Sequence, residues 1–262
     1  SDVYKRQYQR LSGAGRRYAV LSLQRQQMSA SSRETGAVDG EMVMSLKDRN
    51  EKEIYREEQY RKIESHLLLD DRPSEYLEKI GETEEFNHFP FDLLKRMKQT
   101  KQSPKYHPEG SVWIHTMMVV DEAAKHREQS QNPQVFMWAA LLHDIGKPSV
   151  TRFRNGKITS YNHDREGAEL AREFLLVFTE DEAFIDAVCG LVRYHMQILF
   201  VTKGTARAQL EEMKRSVDIR EAALLGLCDR LGRAGVDMEK EKESVMAFLQ
   251  VCGVPGKDFD FI

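Results

Sequence analysis

The stretch AALLHDIGKP, residues 139–148, decides the fold expected for this chain. An apolar run leads directly into His143 and Asp144, and Gly146 and Pro148 are residues that stop a helix. Adjacent imidazole and carboxylate groups at the end of a buried helix are suited to bind a metal ion. The pair alone is weak evidence, because a histidine that caps a helix beside a solvated acid has the same sequence.

Four further candidate ligands occupy comparable positions along the chain. Each lies within or beside a segment whose apolar residues recur with the helical period. They are His115, His163, His195 and Asp229. With residues 143–144 they offer six nitrogen and oxygen donors and no thiolate, which favours a two-ion site for Mn, Fe, Co or Mg over a structural zinc. The structural alternatives are that His115 is an ordinary core residue and that His163 and His195 only cap helix ends. Asp229 would be costly to bury without a partner.

The order of periodic segments predicts an all-α bundle with one small β-hairpin. The hairpin is expected near residues 151–161, where Asn155-Gly156 separates two short β-prone runs. Asn132-Pro133 supplies a cap and a first-turn proline for the helix that leads to His143. The helices of the bundle are predicted at 112–127, 134–145, 165–178, 181–196, 207–215, 218–231 and 238–251.

Composition limits the classes of protein to which the chain can belong. The 39 basic and 42 acidic residues give a net charge of -3, so there is no global basic signature of a general nucleic-acid binder. The three cysteines are odd in number and lie among apolar residues, which predicts free buried thiols in a reducing compartment. We find no uninterrupted apolar run of roughly 18 residues. A cytoplasmic protein without membrane association is expected.

The N-terminal part of the chain differs in character from the rest. Residues 1–7 resemble the translation of a sequencing adaptor, and residues 1–40 as a whole are predicted to be disordered or non-native. Residues 41–88 are expected to form a charged helical extension, in which twelve of the eighteen residues at 47–64 are charged. Residues 89–262 then form the main domain with its C-terminal helix.

Five segments of the chain together resemble the HD-domain metal-dependent phosphohydrolase superfamily. The similarity is greatest to the HD domain of bacterial tRNA nucleotidyltransferases, in which PKYHPEG followed by W-x-H-T is also typical; these motifs stand here at residues 104–116. The resemblance extends over about residues 90–234. The five segments are HTMMVVDEAA, AALLHDIGKP, YNHDREGAEL, VRYHM and CDRLGR.

The resemblance implies a helical HD fold with two metal positions. His115, His143, Asp144 and Asp229 would hold one ion, and His163 and His195 would hold a second ion that Asp144 bridges to the first. The sequence differs from members of this superfamily in two ways that limit the reactions expected of it. The sequence has no nucleotidyltransferase head, so nucleotide addition is not expected, and no glycine-tyrosine-proline signature follows the third histidine, which argues against cyclic dinucleotides as substrates.

Other polar residues near these motifs are candidates for substrate binding and catalysis. Lys147 can meet a phosphate charge or complement a helix dipole, and Asp164 is a candidate proton donor to the leaving oxygen. With Asp144, these two are the candidate catalytic residues. His107 either lines the mouth of the pocket or shapes a proline-flanked turn. Three arginines can grip phosphates or simply keep the surface soluble: Arg165, Arg230 and Arg233.

The sequence therefore predicts an enzyme that hydrolyses a phosphomonoester or a cyclic phosphodiester of a nucleotide-like small molecule. Divalent metal ions, two in number, are the expected cofactors. An RNA end is a candidate substrate without support from the net charge. Two alternatives stay open: an HD-type di-iron oxygenase and a non-catalytic module that binds a nucleotide as a signal.

Overall fold

The structure is a computed structural model that describes residues 46–205 and 208–255, with side chains from residue 52 onward. The predicted disorder of residues 1–40 and the adaptor-like residues 1–7 lie outside the described residues. Residues Glu58–Ile262 form one compact unit. The limits at 41–88 and 89–262 stay predictions.

The described residues form an all-α bundle with a single two-stranded sheet, which confirms the predicted fold class. Two short 3-10 helices lie at Glu84–Asn87 and Arg127–Gln129. The α-helices are α1 Leu46–Leu69, α2 Ser74–Ile80, α3 Phe91–Gln99, α4 Val112–His126, α5 Pro133–Leu142, α6 Lys147–Val150, α7 His163–Leu175, α8 Glu182–Tyr194, α9 Gln197–Thr202, α10 Leu210–Ser216, α11 Ile219–Leu231 and α12 Met238–Cys252.

Helix α5 is the centre of the core. Its cap is Asn132, whose side chain accepts a hydrogen bond from the backbone N–H of Val135, and Pro133 occupies the first turn as predicted. All of its residues from Val135 to Leu142 are buried, because α4, α8 and α11 pack around it. The helix ends at Leu142, three residues before the predicted end, so His143 and Asp144 lie in the turn that follows.

The second half of α1 packs on this core. The ring of Tyr60 stacks on Trp138 at a centroid distance of 4.6 Å, and the Trp138 indole N–H donates to the carboxylate of Glu64 at 2.9 Å. Ile63 is fully buried beside them. By contrast, Ile54, earlier in the same helix, is exposed.

The hairpin joins α6 to α7. Strand β1 (Arg152–Arg154) pairs antiparallel with β2 (Lys157–Thr159), which confirms the prediction at 151–161. Asn155 and Gly156 both have positive φ, 49° and 72°, as a type I′ turn requires. A hydrogen bond of 2.7 Å between the hydroxyls of Thr151 and Ser160 closes the base of the hairpin.

One stretch, Glu182–Thr202, is long and apolar enough by composition to cross a membrane, with a mean hydropathy of 1.4. Half of it is buried inside the structure. It comprises α8 and α9, and Asp186, Arg193 and His195 interrupt its apolar residues. The packing of α8 against α5 and α7 explains why this stretch is so apolar, since the core helix of a globular domain has the same composition.

Candidate metal centre

The six predicted ligands come together from helix ends and from the interiors of two helices. His143 and His195 are the residues directly after α5 and α8, and His163 is the first residue of α7. His115 and Asp229 project from within α4 and α11. All six side chains are buried, although the segments that carry them are up to 114 residues apart in sequence.

The carboxylate of Asp144 lies at the middle of this cluster. Its Oδ2 atom is 3.3 Å from Nε2 of His143 and 3.8 Å from Nε2 of His115. Its Oδ1 atom is 3.5 Å from Nε2 of His163 and 3.7 Å from Nε2 of His195. Each oxygen therefore faces two imidazoles, and the two pairs of imidazoles lie on different oxygens of one carboxylate.

Hydrogen bonds to the backbone fix the orientation of three of these rings. The Nδ1 atoms of His143, His163 and His195 lie 2.7 to 2.8 Å from the carbonyl oxygens of Ala140, Ser160 and Val192. A carbonyl oxygen only accepts, so each Nδ1 carries a proton, and Nε2 of each ring is directed toward Asp144. Metal-ligating histidines use their second nitrogen in this way.

Burial keeps two of the histidines neutral. It lowers the pKa of His195 to about 4, with a further contribution from the neighbouring His163, and it also lowers the pKa of His163. The two Nε2 atoms lie 3.2 Å apart. Neutral imidazole is the form that binds metal ions, so both rings are available as ligands near neutral pH.

Several buried atoms of the cluster have unmet bonding capacity. Among the described residues, Nε2 of His143 and Oδ1 of Asp144 are buried without a hydrogen-bond partner, and Oδ2 of Asp144 is contacted by the ammonium group of Lys147 at 2.6 Å. Burial alone would raise the pKa of Asp144, but the charges of Lys147 and His143 outweigh it and hold this pKa well below its usual range. Buried polar atoms of this kind are normally satisfied, and a cation between them would satisfy them here.

The ligand-type residues form two groups that fit a metal ion, namely His115 with residues 143–144, and Asp144 with His163 and His195. Asp229 joins the first group through His115, since its Oδ1 lies 3.0 Å from Nε2 of that histidine. All the donors are nitrogen or oxygen, as the sequence predicts for Mn, Fe, Co or Mg. The residues present therefore fit a divalent metal centre around Asp144.

Asp229 is held by Arg233. One guanidinium nitrogen of Arg233 donates to both carboxylate oxygens of Asp229 at 2.9 Å. Burial alone would raise the pKa of Asp229, but Arg233 and His115 outweigh it and keep this pKa well below its usual range. The predicted phosphate-binding Arg233 thus contacts a predicted metal ligand.

Lys147 enters the cluster from the start of α6. Its Nζ lies 2.6 Å from Oδ2 of Asp144 and donates to the side-chain oxygen of Gln102 at 2.6 Å. The side chain is only 9% exposed. The structure therefore places this ammonium group directly beside the central carboxylate, with Gln102 holding it from the loop that precedes α4.

A carboxylate missed by the sequence analysis, Glu109, lies behind His115. Its Oε1 is 2.9 Å from Nδ1 of His107 and 3.2 Å from Nδ1 of His115, and its side chain is buried. Burial would raise the pKa of Glu109, but contacts with His115 and His107 lower it to about 2. In the sequence, Glu109 lies between a proline and a glycine at residues 108–110. This pattern is typical of an ordinary turn, so it does not indicate a functional carboxylate.

His107 lies at the edge of the cluster. Its ring centroid is 4.7 Å from that of His115, and burial lowers its pKa to about 4, with a contribution from the charge of Lys147. With Glu109 and His115 it forms a third group of ligand type. Of the two roles predicted for His107, lining the pocket mouth agrees with this position.

The other predicted residues lie around the cluster rather than in it. Asp164 is buried and paired with Arg193 at 2.6 Å. Arg165 is exposed, and Arg230 is paired with Glu241. The structure thus brings Lys147, His107 and Arg233 next to the six ligands.

Comparison with known proteins is consistent with this geometry. A family model described as the HD domain matches residues 112–234. The chain is similar to the multifunctional CCA protein of Actinobacillus pleuropneumoniae serotype 5b (strain L20), with 35% identity over 86 residues, which are 32% of this chain and 20% of that protein. It is also similar to the multifunctional CCA protein of Methylococcus capsulatus, with 27% identity over 166 residues, or 62% of this chain and 32% of that protein.

A third relative is the CC-adding tRNA nucleotidyltransferase of Thermus thermophilus. It is 34% identical over 103 residues, which are 38% of this chain and 23% of that protein. The matched segments thus span 20% to 32% of the length of these three relatives. All six candidate ligands lie within the matched region, and the chain therefore contains an HD domain over residues 112–234.

Proposed function

We propose that this protein is a metal-dependent phosphohydrolase. The observation that carries the proposal is the buried carboxylate of Asp144, which directs one oxygen to each of two pairs of imidazole nitrogens. A carboxylate between two groups of imidazole ligands is an arrangement that suits a two-ion hydrolytic site. The HD-domain match supports the same reaction class.

The six ligands divide into two sets. His115, His143 and Asp229 would hold one ion, His163 and His195 would hold the other, and Asp144 would contact both. Bound divalent ions supply acidified water near neutral pH and neutralise the charge of a phosphoryl group. The residues of the chain contribute fixed ring orientations and a buried setting, which make that charge neutralisation stronger than it is in water.

Lys147 is the residue best placed to bind the phosphate of a substrate. Its ammonium group is nearly buried, and Gln102 fixes its position beside Asp144. Arg233 and His107 border the same cluster and complete the proposed substrate-binding set. Arg230 is engaged with Glu241, so its predicted phosphate contact has less support than that of Arg233.

Asp164 stays among the proposed catalytic residues, but its contacts support a positioning role better than the role of proton donor. The carboxylate accepts a hydrogen bond from Arg193 at 2.6 Å, so its Oδ2 is already engaged in an ion pair. Its support is strongest for positioning the start of α7 beside His163. Asp164→Asn separates the two roles, since a positioning residue tolerates the amide better than a proton donor does.

The proposed substrate is a phosphomonoester or a cyclic phosphodiester of a nucleotide. The similarity to multifunctional CCA proteins and to a CC-adding tRNA nucleotidyltransferase supports a nucleotide-related substrate. We place the protein in the cytoplasm, where its three free buried cysteines stay reduced. The complete ligand set gives less support to a non-catalytic signalling module.

The test is phosphate release by protein loaded separately with Mn²⁺, Co²⁺, Fe²⁺ and Mg²⁺. Substrates are mononucleotides, 2',3'-cyclic nucleotides and an aryl phosphate. Asp144→Asn should lower the rate at least a thousandfold and reduce the number of bound ions, whereas Asp71→Asn, at an exposed aspartate, should leave both unchanged. Iron-dependent oxygen uptake without phosphate release would replace the proposal with the oxygenase alternative.

A further inference from the structure

The hairpin beside the metal centre is a local exception to the acidic balance of the chain. Residues 145–163 contain no Asp or Glu, although the chain as a whole has a net charge of -3. Arg152, Arg154 and Lys157 in the two strands are all exposed. This segment therefore carries a concentrated positive charge that the overall composition conceals.

The strand register places the three cations on one face of the hairpin. Arg152 pairs with Thr159 and Arg154 pairs with Lys157, whereas Phe153 pairs with Ile158. Directly opposite residues and residues two apart share a face, so the two arginines and the lysine lie on one side and the apolar pair on the other. The result is a flat, positively charged face.

This face has an electrostatic cost in the isolated protein. Arg154 and Lys157 stand directly opposite each other, and like charges in that position destabilise a hairpin. None of the ion pairs in the described part of the chain involves these three cations, and the Arg152 guanidinium donates only to the carbonyls of Ser149 and Thr151. An anionic ligand would remove the repulsion.

Both ends of the hairpin are attached to the metal centre. Lys147 precedes β1 by five residues and lies against Asp144, and His163 follows β2 and faces the same carboxylate. These two side chains, at 9% and 10%, are more exposed than His115, His143 or His195, which are at most 1% exposed. Solvent thus reaches the cluster beside the hairpin, and it also reaches it at Asp229 and His107, whose side chains are 8% and 13% exposed.

We propose that the cationic face of the hairpin binds the phosphodiester backbone of a nucleic-acid strand whose terminal phosphate group enters the metal centre. Arg152 and Arg154 lie about 7 Å apart along β1 and Lys157 stands across from Arg154, so the three cations are spread over the face rather than gathered at one point. A chain of phosphates at regular spacing matches such a row of cations, because neutralisation of each phosphate releases counterions. This inference rests on the proposed function and specifies its substrate as a polynucleotide end.

The experiment measures binding of fluorescein-labelled 12-nucleotide RNA and DNA strands, each with a 3'-phosphate, by anisotropy at several salt concentrations. The triple variant Arg152→Gln, Arg154→Gln, Lys157→Gln should weaken binding at least tenfold in low salt. It should also reduce the slope of log affinity against log salt by about 2, as expected for three lost phosphate contacts on a single strand. Its melting temperature should not fall, because the substitution removes the Arg154–Lys157 repulsion.

A matched control removes the same charge elsewhere. Lys62, Lys125 and Lys214 lie on three other helices, and their triple change to glutamine should leave strand binding and hydrolysis of a mononucleotide unchanged. Equal loss in the control, unaltered binding in the hairpin variant, or tighter hairpin-dependent binding to phosphatidylglycerol vesicles than to the strands would overturn the proposal. Phosphate release from mononucleotides by the unaltered protein tests the proposed function separately.

Discussion

Replacement of Gly146 by alanine should damage the fold and the metal centre together. A Cβ atom at this position would lie well under 3.0 Å from the carbonyl oxygen of His163 and the amide nitrogen of Gly167, and 2.9 Å from the Cα atom of Gly167. These atoms belong to the backbone of α7, so no side-chain rotation can relieve the overlap. The turn after Asp144 and the start of α7 would have to separate.

The magnitude follows from the size of that overlap. Carbon atoms in contact are roughly 3.5 to 4.0 Å apart, so the two segments must move by about 0.5 to 1 Å. Overpacking of this kind costs about 1 to 3 kcal/mol, and we expect the upper end because both sides are backbone. The movement would also separate His143 from His163, and a displacement of about 1 Å at a catalytic site can cost about a hundredfold in rate.

The assay combines urea unfolding followed by circular dichroism with Mn²⁺ titration. The control is Gly190→Ala, where the one close atom is a side-chain methyl carbon of Val217 at 2.7 Å and the nearest backbone atom, an oxygen, is 3.7 Å away, so a smaller loss of stability is expected. We expect Gly146→Ala to be clearly less stable and to bind Mn²⁺ more weakly than the control variant. Equal stability and equal affinity in the two variants would refute this account of how the two halves of the site are spaced.

Three further outcomes follow from the structure. Glu109→Gln should weaken metal binding about 10- to 100-fold, measured by calorimetry, because His115 loses its charged partner. Glu122→Gln, on the helix that carries His115, should leave metal binding unchanged. The stability of the metal-free protein should decline as the pH falls from about 6.5 to about 4. The pKa of His195 is about 4 in the folded protein, so the unfolded chain takes up this proton at a higher pH than the folded chain does. A urea midpoint that stays constant over this range would contradict the prediction. Burial raises the pKa of Cys189 to about 12, so iodoacetamide at pH 8 should label none of the three cysteines before denaturation and all three after it, by mass spectrometry.

The sequence by itself determined the helical class, the hairpin and the types of ligand. Apolar periodicity is a local property, and Asn155-Gly156 requires positive φ whatever surrounds it, so these elements could be predicted without knowledge of contacts. The order of His and Asp residues at the ends of apolar segments likewise indicated a metal site. The end of α5 was predicted three residues too far, since Gly146 and Pro148 limit a helix without fixing its last residue.

Only the tertiary structure decided how these side chains share their contacts. The two oxygens of Asp144 face separate pairs of imidazoles because four helices converge there, and sequence spacing contains no information on that convergence. The same holds for Glu109 behind His115 and for the pairing of Asp164 with Arg193, since a carboxylate in a loop or a first helical turn is ordinarily solvated. Local preferences fix the elements of this protein, whereas long-range packing fixes which charges meet.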